Sequence, residues 1–436
     1  MHSVKIGILG LGTVGGGTVN VLTRNAKEIS RRAGRDIEIA WAADRNLDSP
    51  KICNTEGMSL TEDAMDVIND PDVEIVVELI GGTGIARELV MKAIENGKHV
   101  VTANKALIAL HGNELFAKAQ EKGVTISFEA AVAGGIPIIK AMREGLAGNR
   151  IEWLAGIING TGNFILTEMR DKGRDFAEVL TEAQALGYAE ADPTFDVEGI
   201  DAAHKLTIMA SIAFGIPLQF EKAYTEGISK ISQADVKNAA ELGYRIKHLG
   251  IAKKTPQGIE LRVHPTLIPH RRLIANVDGV MNAVVVHGDA VGSTLYYGAG
   301  AGSDATASAV VADIVDVVRA LTSDPENRVP HLAFKPDSLD NTPILPMSQV
   351  ITSYYLRIAT EDKLGVLADI TRILSVNGVS IEAIVQKEPE QQGGMVPLIM
   401  LTHEVSEENM DAAITQIEAL STVKDSVMRI RMESLG

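Results

Sequence analysis

The chain has 436 residues, 45% of them hydrophobic and 22% charged, and a formal net charge of −16. That length exceeds a single core and implies two or three domains, and the acidic balance excludes broad binding to nucleic-acid phosphates. The one cysteine, Cys53, excludes disulfides and thiolate metal clusters; no apolar run is long enough to span a bilayer, and "MHSVKIGILG" enters a strand without a signal-peptide layout, so a cytoplasmic protein is expected.

Residues 1–130 alternate short β-branched runs with helical patterns. "VKIGILG", "IEIAWAAD", "VEIVVELIGG", "KHVVTA" and "VTISFEA" read as five strands, and "IARELVMKAIENG" as a helix stopped by glycine. That alternation implies a parallel sheet with right-handed crossovers. In "GILGLGTVGGG", Gly10, Gly12 and Gly15 take G-x-G-x-x-G spacing between the first strand and a helix. Gly10 permits the tight turn, Gly12 lets backbone approach a pyrophosphate, and Gly15 lets helix and strand pack closely. The helix N-terminus then offers its N–H groups to the phosphates. Asp44 and Arg45 end the second strand. An acid there accepts from a ribose 2′-hydroxyl and favours NAD; an arginine pairs a 2′-phosphate and favours NADP. The adjacent pair leaves the preference open, with NADP slightly ahead, and each residue also reads as half of a surface ion pair. "VVTANKALI" puts Lys105 just past the carboxyl end of a strand, the edge where ligands gather in open α/β sheets. It can polarise a carbonyl or hold a carboxylate there; a solvated loop lysine is the plain alternative.

From 131 to 303 the rhythm changes. Strand-like runs ("WLAGIING", "GIELRVHPTLIP", "MNAVVVHGD") mix with longer helical patterns ("DVEGIDAAHKLTIMASIAFG", "ADVKNAAELGYRIKHLG"), which reads as an α+β domain with a partly antiparallel sheet. Within it, "ALGYAEADPTFDVEGIDAAHKL" gathers Glu190, Asp192, Asp196, Glu198 and Asp201 and then supplies Lys205. Like charges are costly to gather unless a cation sits among them. No His or Cys ligand spacing accompanies them, which argues against a metal. Asp201 and Lys205, four apart, share one helix face. A common surface pair looks the same, but this helix is largely apolar, so its ionic face is expected to meet another polar surface or a cleft. His204 lies about 100° around the helix from Lys205 and reads as a packing residue or a support for its neighbours in the site rather than a catalytic one. A protonated lysine beside a nicotinamide stabilises and protonates a developing alkoxide, and carboxylates nearby suit a cationic, amino-acid-like substrate.

"SDATASAVVADIVDVVRAL" is an apolar helix, placed at 304–322, with Ser303 or Asp304 as candidate N-cap. Residues 335–349 are proline-rich and read as a linker. Beyond them, "SYYLRIATEDK", "LGVLADITRILSVNG", "VSIEAIVQKE", "MVPLIMLTHEV", "SEENMDAAITQIEAL" and "VKDSVMRIRM" read as strand, helix, strand, strand, helix, strand, a ferredoxin-like unit.

Taken together, these residues resemble homoserine dehydrogenase over essentially the whole chain. The most specific part is "ALGYAEADPTFDVEGIDAAHKL", with G-x-D-x-x-x-K at Gly199, Asp201 and Lys205; "GLGTVG", "TANK", "EAAVAGGIPII" and "NGT.NFIL" match in order. The resemblance implies an α/β chain of three parts: a Rossmann-type domain (1–130, completed by 304–322), a catalytic and dimerisation domain (131–303) and, after the linker, an ACT regulatory domain (350–436). It implies reversible NAD(P)H-dependent reduction of L-aspartate 4-semialdehyde to L-homoserine, in threonine, methionine and isoleucine biosynthesis, with threonine inhibition through the ACT domain and a homodimer or homotetramer. By the same resemblance Lys205 is the proton donor, Lys105 assists near cofactor and substrate, and Glu190 and Asp201 bind substrate. Gly10, Gly12, Thr13, Val14 and Gly15 line the cofactor, with Arg45, Lys105, Gly187 and Gly302 adding to it. "SFEAAVAGGI" resembles the family's monovalent-cation loop, with Glu129, Val132, Gly134 and Ile136 around sodium; the residues alone read as a strand-to-loop transition without metal. Gly162 stands where the family often has threonine. Asn377 and Gln386 are candidate effector contacts, although Asn377-Gly378 is also simple turn chemistry. The nearest rival, aspartate-semialdehyde dehydrogenase, needs a nucleophilic cysteine, and Cys53 is far in sequence from the catalytic stretch. A non-catalytic amino-acid sensor is opposed by the intact Gly10, Gly12, Gly15, Lys105 and Lys205.

Overall fold

The apolar runs of the first 130 residues form one parallel sheet. In the computed structural model, which describes residues 2–387 and 395–436, its six strands run in the order Ser59–Thr61, Ile37–Ala43, Val4–Leu9, Val73–Glu78, His99–Thr102, Ile126–Ser127. All five expected strands are present, the last shortened to two residues. Ser59–Thr61 is additional; three residues are too few to show a period. The central strands are buried on both faces, so they read as continuous apolar runs rather than alternating ones. Helix Ser303–Ala320 packs against helix Thr13–Arg24. Its Ala307, Val310, Ile314 and Val317 are buried in one cluster with Val4, Ile6, Ile8 and Val19. Neither Ser303 nor Asp304 is its N-cap: Gly302 holds that position, and the Ser303 hydroxyl donates instead to the Thr13 carbonyl at 2.9 Å.

This sheet belongs to the first of two units, made of residues 1–160, 203–223 and 281–342. The same unit holds three antiparallel strands in the order Gly292–Ala299, Met281–Gly288, Ile151–Ile157. The second unit comprises 161–202, 224–280 and 343–436. There Tyr244–Lys254 pairs antiparallel with Ile259–Pro269. The ferredoxin-like unit has the expected element order, with helices Val366–Val376 and Glu407–Glu418 and sheet order Met428–Met432, Ile351–Thr360, Val396–Thr402, Ile381–Gln386. Glu388, where the sequence extended the Ile381–Gln386 strand, lies outside the described residues. Its sheet does not stand alone. Ile259–Pro269 pairs in parallel with Met428–Met432, Thr266 opposite Arg431 and Leu267 opposite Met432, and Tyr355, Ile430 and Met432 share a buried cluster with Leu267 and Val236.

Two helical expectations fail. The pattern running through residues 196–215 is broken: Thr194–Val197 is one short turn, and helix Ile200–Phe214 starts afresh. Gly199 between them has φ +85°, which glycine adopts at no cost and other residues resist. "ADVKNAAELGYRIKHLG" is likewise half helix, Gln233–Glu241 with a Ser232–Asp235 capping box, and half strand from Tyr244. Eleven consecutive pairings with Ile259–Pro269 outweigh the local helical pattern there.

Candidate active site

The glycine loop takes the conformations its spacing requires. Gly10 has φ +97°, and a Cβ there would sit 2.8 Å from the Leu79 carbonyl. A Cβ on Gly15 would collide with the Gly10 carbonyl, whereas one on Gly12 would meet nothing, leaving that stretch of backbone open. Through the Ser303–Thr13 hydrogen bond the structure brings Gly302 to the same loop. Val14 packs against the core beneath it. At the end of the second strand, Asp44 is committed to the protein. One carboxylate oxygen accepts the Leu11 N–H (2.9 Å); the other takes the Asn46 N–H and the Lys51 ammonium (both 3.1 Å). Burial pushes this carboxyl up, but those partners outweigh it and hold it below the usual range. Arg45 is exposed.

Lys105 begins helix Lys105–Lys122, next to the Asn104 N-cap. A buried network fixes that corner. Both oxygens of Glu78, at the carboxyl end of its strand, are used: one accepts the Ile80 and Gly81 N–H groups (2.9 and 3.0 Å), the other the Thr102 hydroxyl (2.6 Å). Thr102 in turn accepts the Asn104 N–H (3.0 Å), and the Asn104 amide donates to the Gly82 carbonyl (2.6 Å). A half-buried ammonium at a helix N-terminus makes this sheet edge attractive to anions. Glu78, Thr102 and Asn104 were not singled out from sequence, though an acid ending the apolar run "VEIVVELIGG" was a usable signal; Lys51 offered none.

Lys205, in the same unit, is 8% exposed and donates to the Ile158 carbonyl at 2.7 Å. His204 stacks against Phe220 at 4.3 Å, a packing role as expected. The carboxylates that precede Lys205 in sequence, Glu190 to Asp201, lie in the other unit. Asp201 is buried and Glu190 exposed. The Gln184 amide donates to the Glu190 and Ala191 carbonyls and shapes the turn (3.1 and 3.2 Å). Gly187, also in that unit, closes helix Phe176–Ala185 through its N–H to the Gln184 carbonyl. Asp192 caps the Thr194 N–H (3.1 Å), and Glu198 accepts the Ser229 hydroxyl (2.8 Å). Two members of the acidic cluster, Asp192 and Glu198, are thus engaged in local structure. The motif threonine Thr161 donates to the Tyr188 carbonyl (2.5 Å), tying that segment down.

Glu129 is buried, with its carboxylate accepting the Ile139 and Lys140 N–H groups (2.9 and 2.8 Å) and its own N–H donated to Asp313 (2.7 Å). Burial pushes the Glu129 carboxyl up and that of Asp313 to about 7. Ala133 (φ +55°) and Gly134 turn the loop between Val132 and Ile136. Its donors are hard oxygens, which fit an alkali cation in kind. The carboxylate is already occupied by two N–H groups, so backbone carbonyls of Val132, Gly134 and Ile136 would supply most of the ligation. No cluster of three or more His, Cys, Asp or Glu side chains suited to a metal exists among the described residues. No helix among them is long and apolar enough to cross a membrane.

In the ferredoxin-like unit, the Asn377 amide donates to the Ile373 carbonyl (2.8 Å) and accepts from Gln416 (3.2 Å), so it closes helix Val366–Val376. Gln386 ends an exposed strand opposite Leu398.

Comparison with known proteins adds the following. Residues 10–129 match the homoserine dehydrogenase NAD-binding domain family, 137–315 the homoserine dehydrogenase family and 354–422 the ACT domain family. The sequence is 69% identical over 436 residues to homoserine dehydrogenase of Pseudomonas aeruginosa and 58% identical to that of Neisseria gonorrhoeae, covering 100% of each chain. The fold superposes on the crystal structure of a homoserine dehydrogenase from Thiobacillus denitrificans with a TM-score of 0.95 at 67% identity, over 100% of this chain and 99% of that one. It also resembles a hyperthermophilic archaeal homoserine dehydrogenase in complex with NADPH, with a TM-score of 0.62 at 27% identity, over 72% of this chain and 97% of that one.

Proposed function

This chain belongs to the homoserine dehydrogenase family, an NAD(P)-dependent oxidoreductase with an ACT domain, and from that premise we propose how its own residues serve the reaction. Bound NADPH supplies the hydride to the aldehyde carbon of aspartate 4-semialdehyde. Lys205 supplies the proton to the developing alkoxide, and Lys105 holds charge near the cofactor and substrate. Glu190 and Asp201 hold the substrate's α-ammonium. The observation that carries this reading is the placement of Lys205, a buried ammonium oriented by the Ile158 carbonyl on a largely apolar helix. Gly10, Gly12, Thr13, Val14, Gly15 and Gly302 line the cofactor's phosphates. We assign Gly187 to the same cofactor by resemblance alone.

NADP is the preferred cofactor in this reading. Asp44 is neutralised by Lys51 and occupied by Leu11 and Asn46, so it is poorly placed to accept from a ribose hydroxyl, while Arg45 is exposed beside it. Sodium sits in the loop Glu129–Ile136. The functional parts are 1–130 with 304–322, 131–303 and 350–436, joined by 335–349. The enzyme acts in the cytoplasm, as a homodimer or homotetramer, on the route to threonine, methionine and isoleucine, and threonine inhibits it through the ACT domain. The test is L-homoserine oxidation assayed with NADP⁺ and NAD⁺, with and without threonine and sodium. Oxidation by neither cofactor would reject the reaction, and insensitivity to threonine would reject the regulation alone.

A further inference from the structure

The parallel sheet of the first unit reverses its direction of growth once. From Val4–Leu9 the chain builds outward through Ile37–Ala43 to Ser59–Thr61, then returns to the other side of Val4–Leu9 and builds outward again from Val73–Glu78 to His99–Thr102 and Ile126–Ser127. In open α/β sheets a ligand lies in the crevice at that switch, beyond the carboxyl ends of the two central strands. One wall of the crevice is the glycine loop and the other is residues 79–82. The two meet at their base: the Leu79 N–H donates to the Leu9 carbonyl (2.8 Å), and a Cβ on Gly10 would sit 2.8 Å from the Leu79 carbonyl. Gly81 and Gly82 are both left-handed (φ +81° and +71°), so this second wall has little stiffness of its own. Its neighbours hold it. Glu78, fully buried at its foot, accepts the Ile80 and Gly81 N–H groups, and the Asn104 amide donates to the Gly82 carbonyl.

The same carboxylate reaches the helix that Lys105 opens. Its second oxygen accepts the Thr102 hydroxyl, Thr102 accepts the Asn104 N–H, and the Asn104 side chain caps helix Lys105–Lys122 by accepting the Leu107 N–H (3.1 Å). One side chain thus fixes both the crevice wall and the helix start. A glutamine would meet the same partners, with its carbonyl on the two N–H groups and its amide on the Thr102 oxygen. What glutamate adds is charge. The two N–H groups and the hydroxyl that it accepts from are neutral, and a fully buried charge is little screened by solvent. The nicotinamide ring is neutral in NADPH and cationic in NADP⁺, so a fixed anion beside the crevice stabilises the oxidised form. We propose that Glu78 is a positioning residue with an electrostatic bias: it holds residues 79–82 and the start of the Lys105 helix in one arrangement, and its charge tilts the site toward NADP⁺ relative to NADPH. The proposal rests on the reading of this crevice as the centre of an NADP-dependent dehydrogenase.

The test uses full-length protein and measures Kd for NADPH by its fluorescence and Kd for NADP⁺ by displacement of NADPH, alongside homoserine oxidation. Glu78→Gln, isosteric and uncharged, is expected to raise the ratio of Kd for NADP⁺ to Kd for NADPH by about tenfold, the worth of one poorly screened charge near the ring. Glu78→Asp keeps the charge but is one methylene short, so kcat falls while that ratio stays within about twofold of wild type. Thr102→Val cuts the link to Asn104 and leaves the carboxylate in place; kcat is expected to fall about tenfold, with KM for NADP⁺ and the Kd ratio within about twofold. A purely structural Glu78 would weaken both cofactor forms alike, so an unchanged ratio in Glu78→Gln overturns the electrostatic role. A normal kcat in Thr102→Val overturns the positioning role, and that variant decides the matter even where Glu78→Gln does not fold. If wild type oxidises homoserine with neither cofactor, the reading of the reaction falls, while the Kd ratio still decides the role of Glu78.

Discussion

A buried ammonium needs an acceptor, and for Lys205 the Ile158 carbonyl is one, so the head group is oriented before any substrate arrives. Lys205→Ala is expected to lower kcat by about 10²–10⁴-fold, the usual worth of a positioned proton donor, while NADP⁺ binding followed by fluorescence stays within about threefold. Normal turnover in that variant removes the assigned role. Arg45→Ala is expected to raise KM for NADP⁺ by about tenfold or more, the loss of one charge-assisted contact, and to leave KM for NAD⁺ nearly unchanged. Equal effects on both cofactors would show that Arg45 does not read the 2′-phosphate. At this scale the sequence was a good guide where one residue's backbone decided the matter, as at Gly10 and Gly15. It was a poor guide to Asp44, because the partner that occupies it, the Leu11 N–H, lies 33 residues away and has no pattern of its own. Glu78 was overlooked for the same reason: its meaning depends on Thr102, 24 residues on.

Elements with a clear period were legible, and those decided by distant pairing were not. The five N-terminal strands and the ferredoxin-like order follow from periodicity and glycine stops. The strand from Tyr244 was hidden because its partner, Ile259–Pro269, overrides a helical pattern. The two-residue strand Ile126–Ser127 shows another non-local dependence. The His99 ring accepts the Thr125 N–H (3.0 Å) and the His331 ring accepts the Ile126 N–H (3.1 Å), so the fold needs a neutral nitrogen in each. Burial, helped by Arg328 near His99 and Arg143 near His331, lowers both rings to about 4. Between pH 6.5 and about 4 the unfolded chain therefore binds more protons than the folded one. Stability falls as pH drops across that window, and the loss is complete below about 4. At pH 5 the expected loss is on the order of 2 kcal/mol per ring. Urea midpoints measured at pH 7 and pH 5 should converge in His331→Gln relative to wild type; an unchanged gap would mean that this ring is not responsible.

For the whole molecule, chain order and spatial grouping disagree. Each unit is assembled from three separate stretches, which no reading of consecutive segments reveals. The ferredoxin-like module, expected as a regulatory domain after a linker, shares its core with the rest of its unit: Arg431 is buried against Glu226 and Glu407, Arg357 and Tyr355 bind Asp235, and Arg262 pairs with Glu433. Deleting residues 350–436 would strip several buried side chains from a shared core, at about 2–5 kcal/mol for each large one, against a total stability on the order of 5–15 kcal/mol. The truncated protein is expected to lose its cooperative melting transition and its activity, read by circular dichroism and homoserine oxidation. A folded, active truncation would show the module to be independent.

The parallel pairing of Ile259–Pro269 with Met428–Met432 also sets a clock. Arg262 and its partner Glu433 are separated by 171 residues. At synthesis rates of roughly 5–20 residues per second, that interval is roughly 10–30 s. For that time a strand that ends almost wholly buried has part of one edge unsatisfied as it emerges from the ribosome. Slower translation would lengthen the interval for which that edge lacks its partner.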